Sequence, residues 1–323
     1  MNTRPDRCRP KTRPDRSRPK RAREAPERSD RVARKQIYVE ILIRSSKDRI
    51  FELSQNTELH PRWDLRFSSI TPIEQASTPA GDDDSSNAGV DDVSSNGGSG
   101  NPGNNGTGGL LRFRYAFRLP FHTISGTGTS IGNNQRADGQ ATSVLKFTTD
   151  DWLSPIGPGA GYWRYIPTAD GVRFLTGYNY EPGMGRIGKL LDSRVIRPAL
   201  GWATALSFDR LRLWAESGID PAKARSAWLV DATSRAALLA SGIGLISTAL
   251  RSRRRVFPIA AGVTAMTAAF TLPTPPAVPR AGRCLRRPPD TRSGRAPDGL
   301  ATLADPGISI PSYSEPRKAH VER

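Results

Sequence analysis

Hydrophobic and polar positions alternate through the middle of the chain and then change to a helical spacing. Between residues 111 and 119 every second side chain is apolar and three of the positions between them are arginine, the pattern of a strand with one buried face. Further strand-like stretches follow at 121–131, 140–149, 161–167 and 172–180. From Ile187 to Trp214 apolar residues recur every three or four positions. The pattern predicts an antiparallel meander closed by a helix, which Pro198 divides into a short and a longer part.

The segment before the meander predicts one strand and two helices. Residues 36–43 are a β-branched run of strand length, and Ser45 to Asp48 has the capping-box spacing that begins a helix. We expect a short helical turn at residues 56–59, which Pro61 stops, and an extended stretch over 63–70. Together with the meander and the closing helix, this order predicts an α+β fold.

Composition divides the rest of the chain. Residues 75–109 consist almost wholly of small and polar residues with Gly and Pro, which predicts a disordered insertion between strands. Residues 1–35 and 274–323 are rich in Arg and Pro, and we expect both to be disordered basic tails. The predicted organisation is therefore a domain over 36–217, a helical extension over 218–273, and the two tails.

The net charge of +17 is confined to the ends of the chain. Residues 1–35 carry 14 Lys and Arg against 5 Asp and Glu, residues 251–323 carry 13 against 5, and residues 36–250 carry 21 of each. Such tails can attract an anionic membrane surface or nucleic acid without sequence readout. They also arise without a partner where Arg and Pro accumulate in unconstrained segments, as the 40 Arg among 48 basic residues suggest. Specific nucleic-acid binding is not predicted.

Two apolar runs lie in the helical extension, at residues 236–250 and 256–272, separated by the basic stretch from Arg251 to Arg255. Each run is shorter than the roughly 20 residues that span a bilayer. A membrane hairpin with the arginines on the cytoplasmic side fits the positive-inside rule, and helices packed on each other or on the domain fit as well. The N-terminus lacks the apolar run of a secretory signal. We expect a cytoplasmic protein with membrane association as an open alternative.

Three stretches of the chain look familiar: Trp63-Asp-Leu-Arg-Phe-Ser-Ser-Ile70, Gly161-Tyr-Trp-Arg-Tyr-Ile-Pro167 and Arg197-Pro-Ala-Leu-Gly-Trp-Ala203. They resemble the START-like superfamily, also called SRPBCC, which includes polyketide cyclases, coenzyme Q-binding proteins and lipid-transfer modules. The resemblance covers residues 36–217, and the matching stretches are similar to an uncharacterised bacterial branch of that superfamily. It implies a helix-grip fold of the START/Bet v1-like type, in which a curved antiparallel sheet wraps around a long C-terminal helix. It implies a style of binding and no particular reaction.

A helix-grip fold leaves an elongated cavity between sheet and helix, and strand alternation nominates aromatic residues for its lining. The predicted cavity residues are Phe113, Tyr115, Phe117, Phe147, Trp163, Tyr165, Phe174, Tyr178, Trp202 and Leu206. Such a stripe is also what a plain hydrophobic core requires. The buried tyrosine hydroxyls favour a cavity, because a polar ligand group can pair with them. The sequence predicts binding or transport of a lipid, quinone or polyketide-like molecule.

Catalytic chemistry has little support in the sequence. No Ser, Cys or His triad can be nominated from His60, His122 and His320, and neither Cys8 nor Cys284 belongs to the predicted domain. No Cys/His spacing resembles a metal site, and no cofactor is predicted. Two alternatives stay open: an aromatase/cyclase-like enzyme using Arg164, Asp150, Asp151 or a tyrosine for proton transfer, and a scaffold tethered to membrane or nucleic acid by its basic tails.

Overall fold

The computed structural model describes residues 36–73, 110–136, 138–251 and 256–306, without the side chains of 133–135. The predicted tail 1–35, the predicted insertion 75–109 and the end of the chain from 307 lie outside these ranges.

Within the described ranges, seven strands and eight helices follow one another, with one π turn and one 3-10 turn. The strands are β1 (Ile37–Ile43), β2 (Ser69–Pro72), β3 (Leu110–Arg118), β4 (Thr123–Gln135), β5 (Ala141–Thr148), β6 (Ile156–Thr168) and β7 (Gly171–Pro182). The helices are α1 (Lys47–Gln55), α2 (His60–Trp63), α3 (Gly185–Leu191), α4 (Arg197–Ser217), α5 (Pro221–Arg251), α6 (Val256–Thr271), α7 (Thr291–Gly294) and α8 (Gly299–Thr302). A π turn (Asp192–Ile196) joins α3 to α4, and a 3-10 turn (Ala281–Arg283) follows α6.

The strands form one antiparallel sheet in the order β1-β7-β6-β5-β4-β3-β2. Register shifts at Ile131/Asn134 and at Ile156/Gly159 interrupt the ladders, and such bulges bend a sheet. The sheet curves around α4, which packs against β1 at one edge. This arrangement confirms the predicted α+β helix-grip fold.

The core lies where α1, α2 and α4 cover the β1 side of the sheet. Val39, Trp63 and Phe208 are fully buried there. The ring of Phe174 lies 4.6 Å from that of Phe208, and the indole of Trp63 donates to the Leu53 carbonyl at 2.8 Å. The buried Trp63 therefore has both apolar neighbours and a hydrogen-bond partner.

The local predictions before the meander need correction. Pro61 does not stop a helix but occupies the first turn of α2, where its missing N–H costs no intrahelical bond. The extended stretch predicted for 63–70 is largely a loop, and β2 begins only at Ser69. In the closing helix, Pro198 is the second residue of α4 and the π turn precedes it, so the division into two parts is confirmed.

The C-terminal segment is folded as far as residue 306, contrary to the predicted disorder of 274–323. Residues 274–306, called the strap below, begin against α4, pass the β1 edge of the sheet and then cross the outer face of the sheet. Leu285 pairs with Glu40 by two backbone hydrogen bonds, at 2.8 and 3.0 Å. Val278 and Leu303 are only 2% exposed. The first part of the strap packs on α4, where Cys284 Sγ lies 3.3 Å from the Ala205 carbonyl oxygen, and its later part, around Leu303, covers the side of the sheet that faces away from α4.

Polar side chains of the sheet hold the strap by its backbone. The Tyr162 hydroxyl donates to the Ser293 carbonyl at 2.9 Å, and Arg164 donates to two strap carbonyls, one of them that of Arg295 at 2.6 Å. Arg164, considered above for proton transfer, thus lies on the outer face and outside the cavity. Beneath the strap, Tyr38 and Leu175 supply the apolar surface that it covers.

Helices α5 and α6 form a close hairpin. A Cβ atom on Gly242 would lie 2.7 Å from the Gly262 carbonyl oxygen, so the two backbones touch through glycines. Arg235 donates to the carbonyls of Ala269 and Leu272 at 2.7 and 2.8 Å, which satisfies the C-terminal end of α6. Helix α5 is long and apolar enough to cross a membrane, with a mean hydropathy of 1.4 in its most apolar window and 6% of that window buried. The 16 residues of α6 fall short of that length.

Candidate functional site: a cavity between the sheet and the closing helix

A cavity of about 230 Å³ lies between the inner face of the sheet, the α1–α2 segment and the first half of α4. Strands β3 to β7 supply most of its wall, and Leu200 and Ala203 close it from the helix. Apolar side chains dominate the lining. The geometry suits an apolar molecule held between sheet and helix.

Glycines shape the sheet side of this wall. In the registers, Gly126 pairs with Tyr115, Gly128 with Phe113, and Gly159 with Phe147. A Cβ atom at any of these glycines would lie 2.3–2.4 Å from the partner's ring or hydroxyl. Each ring therefore lies flat over its glycine, in the space that a side chain would need. The Gly-Thr alternation of β4 serves this close approach and keeps the rings out of the cavity.

A polar cluster lies in the opposite wall. The Asp64 carboxylate accepts two hydrogen bonds from the Arg66 guanidinium, at 2.6 and 3.0 Å, and lies 3.2 Å from His60 Nε2. Asp64 is fully buried, whereas His60 and Arg66 both contact the cavity. The cluster thus places an imidazole and a guanidinium at the cavity wall, and Asp64 fixes the position of both by its hydrogen bonds.

The surroundings of Asp64 favour its charged form. Burial acts to raise the pKa of this carboxyl group, but the Arg66 charge and the hydrogen bonds from His60 and Arg66 outweigh it. The pKa of Asp64 is therefore well below its ordinary value, and the carboxylate stays ionised. Burial acts to lower the pKa of Arg66, but the charge and hydrogen bonds of Asp64 raise it overall. The cavity wall consequently contains Arg66 and Asp64 as an ion pair rather than an isolated charge.

The tyrosine hydroxyls around the cavity have protein partners. Tyr115 donates to the Thr148 carbonyl at 3.2 Å, Tyr165 lies 2.7 Å from the Ser54 hydroxyl, and Tyr178 lies 2.9 Å from that of Thr204. Burial raises the pKa values of Tyr115 and Tyr165, so both stay neutral. Because the protein itself satisfies these hydroxyls, they do not favour a ligand cavity over a plain core.

The structure brings six of the ten predicted cavity residues together in the lining. These six are Phe113, Tyr115, Phe117, Phe147, Trp163 and Tyr178. Whether they contact a ligand stays a prediction.

The other four predicted residues lie elsewhere. Tyr165 and Phe174 face inward but belong to the hydrophobic core under α1 and α4. Trp202 points away from the sheet, is 44% exposed and lies with its ring 5.8 Å from that of Trp228 of α5. Leu206 is buried but does not contact the cavity. Helical spacing placed these two on an apolar stripe without showing which part of the stripe the sheet would cover.

Sequence reasoning missed the polar cluster. His60 is the first residue of α2. Its ring stacks on that of Trp63 at 4.8 Å and lies 4.8 Å from the ring of Trp163 across the domain. The available signal was local: a His and an Asp four residues apart, with an Arg two further on, between aromatic residues.

Comparison with known proteins gives one relative of similar sequence. No protein-family model matches the chain. The uncharacterized membrane protein YndG of Bacillus subtilis is 38% identical over 189 residues, which are 58% of this chain and 59% of that protein. The chain therefore spans less than two thirds of this relative's length, and whatever the relative does as a whole is a proposal for this chain.

Solved structures with a similar arrangement include a lipid transfer protein and an aromatase/cyclase. The STAR-related lipid transfer protein of Xanthomonas axonopodis is 14% identical, with a TM-score of 0.35 over 55% of this chain and 85% of that chain. The Zhui aromatase/cyclase of Streptomyces sp. R1128 is 8% identical, with a TM-score of 0.35 over 57% of this chain and 96% of that chain. At these TM-scores the likeness carries no argument about function.

Proposed function

We propose that the protein binds a hydrophobic small molecule in the cavity and carries it without chemical change. The observation that supports this most directly is the 230 Å³ apolar space between sheet and helix, kept open by rings that lie on glycines. A plain core would fill that volume, because unfilled apolar space costs stability. A ligand that occupies it recovers the lost contacts.

The size and lining of the cavity narrow the class of ligand. Its volume is below the roughly 300–1,000 Å³ of typical small-molecule sites, which favours a single acyl chain or a compact ring system over a two-chain lipid. The imidazole of His60 and the guanidinium of Arg66 supply a polar contact at one wall. A quinone, a fatty acid or a polyketide-like ring compound combines an apolar body with an oxygen that can accept from these groups.

Matched substitutions test this proposal. Leu145 lies in the cavity wall and Leu285 lies half-exposed on the strap, so Leu145→Trp fills the cavity whereas Leu285→Trp adds the same ring outside it. The full chain is purified from a bacterial host, and bound molecules are identified by native mass spectrometry. Titration with an apolar fluorescent probe then gives the affinity of each variant.

We expect a co-purifying apolar molecule in the parent chain and in Leu285→Trp, and a loss of at least about tenfold in probe affinity in Leu145→Trp, or about 1.4 kcal/mol. An empty parent chain that binds no probe contradicts the proposal. Equal affinities in the two Trp variants, with both chains folded, contradict the assignment of the ligand to this cavity.

An enzyme of the aromatase/cyclase type is the second candidate, favoured by the pairing of His60 with Asp64 at the cavity wall. A carboxylate that orients an imidazole is a common arrangement for proton transfer. His60→Gln is then expected to abolish turnover of a cyclisable polyketide while probe affinity changes little. Absence of turnover in the parent chain with a panel of such substrates removes this candidate.

Membrane association completes the proposal. The similar Bacillus subtilis protein is called a membrane protein, and α5 passes the length and hydropathy requirements of a membrane span. Valine, leucine and phenylalanine side chains of the hairpin are exposed, including Phe257 at 85% and Phe270 at 75%. Fractionation of cells that express the full chain tests this: we expect it in the membrane pellet after a high-salt wash, and recovery in the soluble fraction contradicts it.

A further inference from the structure

Two large apolar side chains are exposed on adjacent loop tips at one end of the helix-grip domain. Phe121 is 100% exposed and Trp152 is 79% exposed. They neighbour His122 and Asp151, whose Nε2 and Oδ2 atoms lie 2.6 Å apart. Because this pair joins the β3–β4 turn to the β5–β6 loop, the two exposed rings belong to one surface.

An exposed apolar stripe on α3 and the π turn begins at the same end. The stripe consists of Ile187, Leu190, Leu191 and Val195, which are 37–68% exposed. Their spacing of three and four residues puts them on one helical face. Helix α3 begins beside the β5–β6 loop, since the Gly183 N–H donates to the Pro155 carbonyl at 3.1 Å. We call this stripe, together with Phe121 and Trp152, the apolar rim.

The charged residues on and around the apolar rim are mainly basic. Arg118, Arg186, Lys189 and Arg194 are exposed there, against the exposed carboxylates of Asp150 and Glu181. The Asp192 carboxylate is buried, where it accepts from Tyr180 and Arg197. Exposed apolar side chains among basic ones match the interface of an anionic bilayer, where rings and aliphatic groups enter the acyl boundary and cations meet the headgroups.

The cavity reaches this end of the domain. Phe117 and Ile124, on either side of the β3–β4 turn, line it, as do Ser154 and Pro155 next to Trp152. Residues that line the cavity therefore lie within a few positions of Phe121 and Trp152, so a ligand that leaves the bilayer at the apolar rim has a short path into the cavity.

The hairpin is oriented toward the same end. Arg210 donates to the Pro221 carbonyl at 3.1 Å, and farther along α5 Trp228 lies beside Trp202. Helix α5 thus runs antiparallel to α4, toward the end where α4 begins and where the apolar rim lies. A hairpin that inserts into a bilayer brings the apolar rim close to that bilayer.

We propose that the apolar rim docks on an anionic lipid bilayer and that the cavity exchanges its apolar ligand with the lipid there. The inference rests on the proposed ligand-binding function and adds to it the surface through which the ligand passes. The occupant of this surface is the bilayer itself.

Site-directed labels test the docking. Single cysteines for an environment-sensitive fluorophore are introduced as Trp152→Cys and Leu190→Cys in the full chain carrying Cys8→Ser; the native Cys284 is buried. Ala169→Cys, in the exposed β6–β7 turn at the opposite end of the sheet, is the matched control. The labelled proteins are reconstituted with phosphatidylcholine vesicles, with or without phosphatidylglycerol, that contain a lipid-attached quencher.

We expect the labels at 152 and 190 to shift to the blue and to be quenched several-fold more than the label at 169, and more strongly with phosphatidylglycerol. Equal quenching of all three labels overturns the proposal. Self-quenching at 152 and 190 without vesicles assigns the apolar rim to a second copy of the chain and also overturns it.

A transfer assay separates this inference from the proposed function. Leu190→Glu puts a carboxylate in the stripe, and Ala169→Glu is its control. We expect Leu190→Glu to slow transfer of the apolar probe between vesicles and protein by about tenfold, with equilibrium probe affinity unchanged in solution. An unchanged transfer rate refutes the docking, whereas a parent chain that binds no probe refutes the proposed function regardless of the labels.

Discussion

A methyl group at Gly128 is expected to push the Phe113 ring into the cavity. The added Cβ would lie 2.4 Å from Phe113 Cζ and 2.7 Å from Cε2, whereas ordinary contacts begin at 3.4 Å. The ring therefore has to move by about 1 Å, and the open side is the cavity. In Gly128→Ala the ligand space shrinks although the substituted residue itself does not line it.

The size of the effect follows from two opposing terms. Overpacking of this kind costs about 1–3 kcal/mol, and replacing Gly by Ala within a strand returns up to about 1 kcal/mol. We expect Gly128→Ala to lower the free energy of unfolding by about 1–2 kcal/mol. Phe113→Leu removes the part of the ring that the methyl group meets, so the double variant is expected to be more stable than the sum of the single effects by about 1 kcal/mol.

Urea unfolding of the full chain, followed by tryptophan fluorescence, measures the three variants and the parent. Gly282→Ala is the control, because a methyl group there has no neighbour within 4 Å. Titration with the apolar probe shows whether Gly128→Ala weakens binding and whether Phe113→Leu restores it. Additivity of the two substitutions within about 0.5 kcal/mol, or equal stability of the two Ala variants, refutes the reasoning.

Three further predictions concern buried polar groups. The folded-state pKa of Asp64 is lowered. The contribution of this carboxylate to stability is therefore complete above its unfolded-state pKa of about 3.9 and is lost as the pH falls below that value. We expect the free energy of unfolding to decline less steeply with acid in Asp64→Asn, and the same dependence on pH as in the parent chain contradicts this. Arg210 donates to three backbone carbonyls of α2 and the start of α5, so Arg210→Met should cost about 3 kcal/mol in urea unfolding; a cost below about 1 kcal/mol argues against the structural role. Burial raises the pKa of the Cys284 thiol to about 12, so in Cys8→Ser its reaction with a thiol reagent at pH 8 should be slow; a rate equal to that of the urea-unfolded chain contradicts the buried position.

The strands were predictable because each carries its own signal. The alternation in β3 put Phe113, Tyr115 and Phe117 on one face, and all three line the cavity. The turn at Asp170 and Gly171 fixed the β6–β7 hairpin, in which Gly171 takes a φ of 134°. These features depend on neighbours in sequence, which a pattern can show.

The strap was not predictable from its composition. Arg and Pro predicted disorder, yet the contacts that hold the segment come from side chains more than a hundred residues away, such as Tyr162 and Arg164. Those donors bind backbone carbonyls, which every residue type possesses. The composition of the strap therefore does not indicate these hydrogen bonds.

The sequence by itself determined the period of the meander strands and of the closing helix, and the inward side of β3, β5, β6 and β7. Only the tertiary structure divided that inner face into core and cavity: α1 and α4 cover Tyr165 and Phe174 but leave Phe113 and Tyr115 open to the cavity. It also brought His60, Asp64 and Arg66 to the opposite wall. Alternation gives the side of a strand on which a residue lies, whereas the distance between a curved sheet and its helix depends on packing across the whole domain.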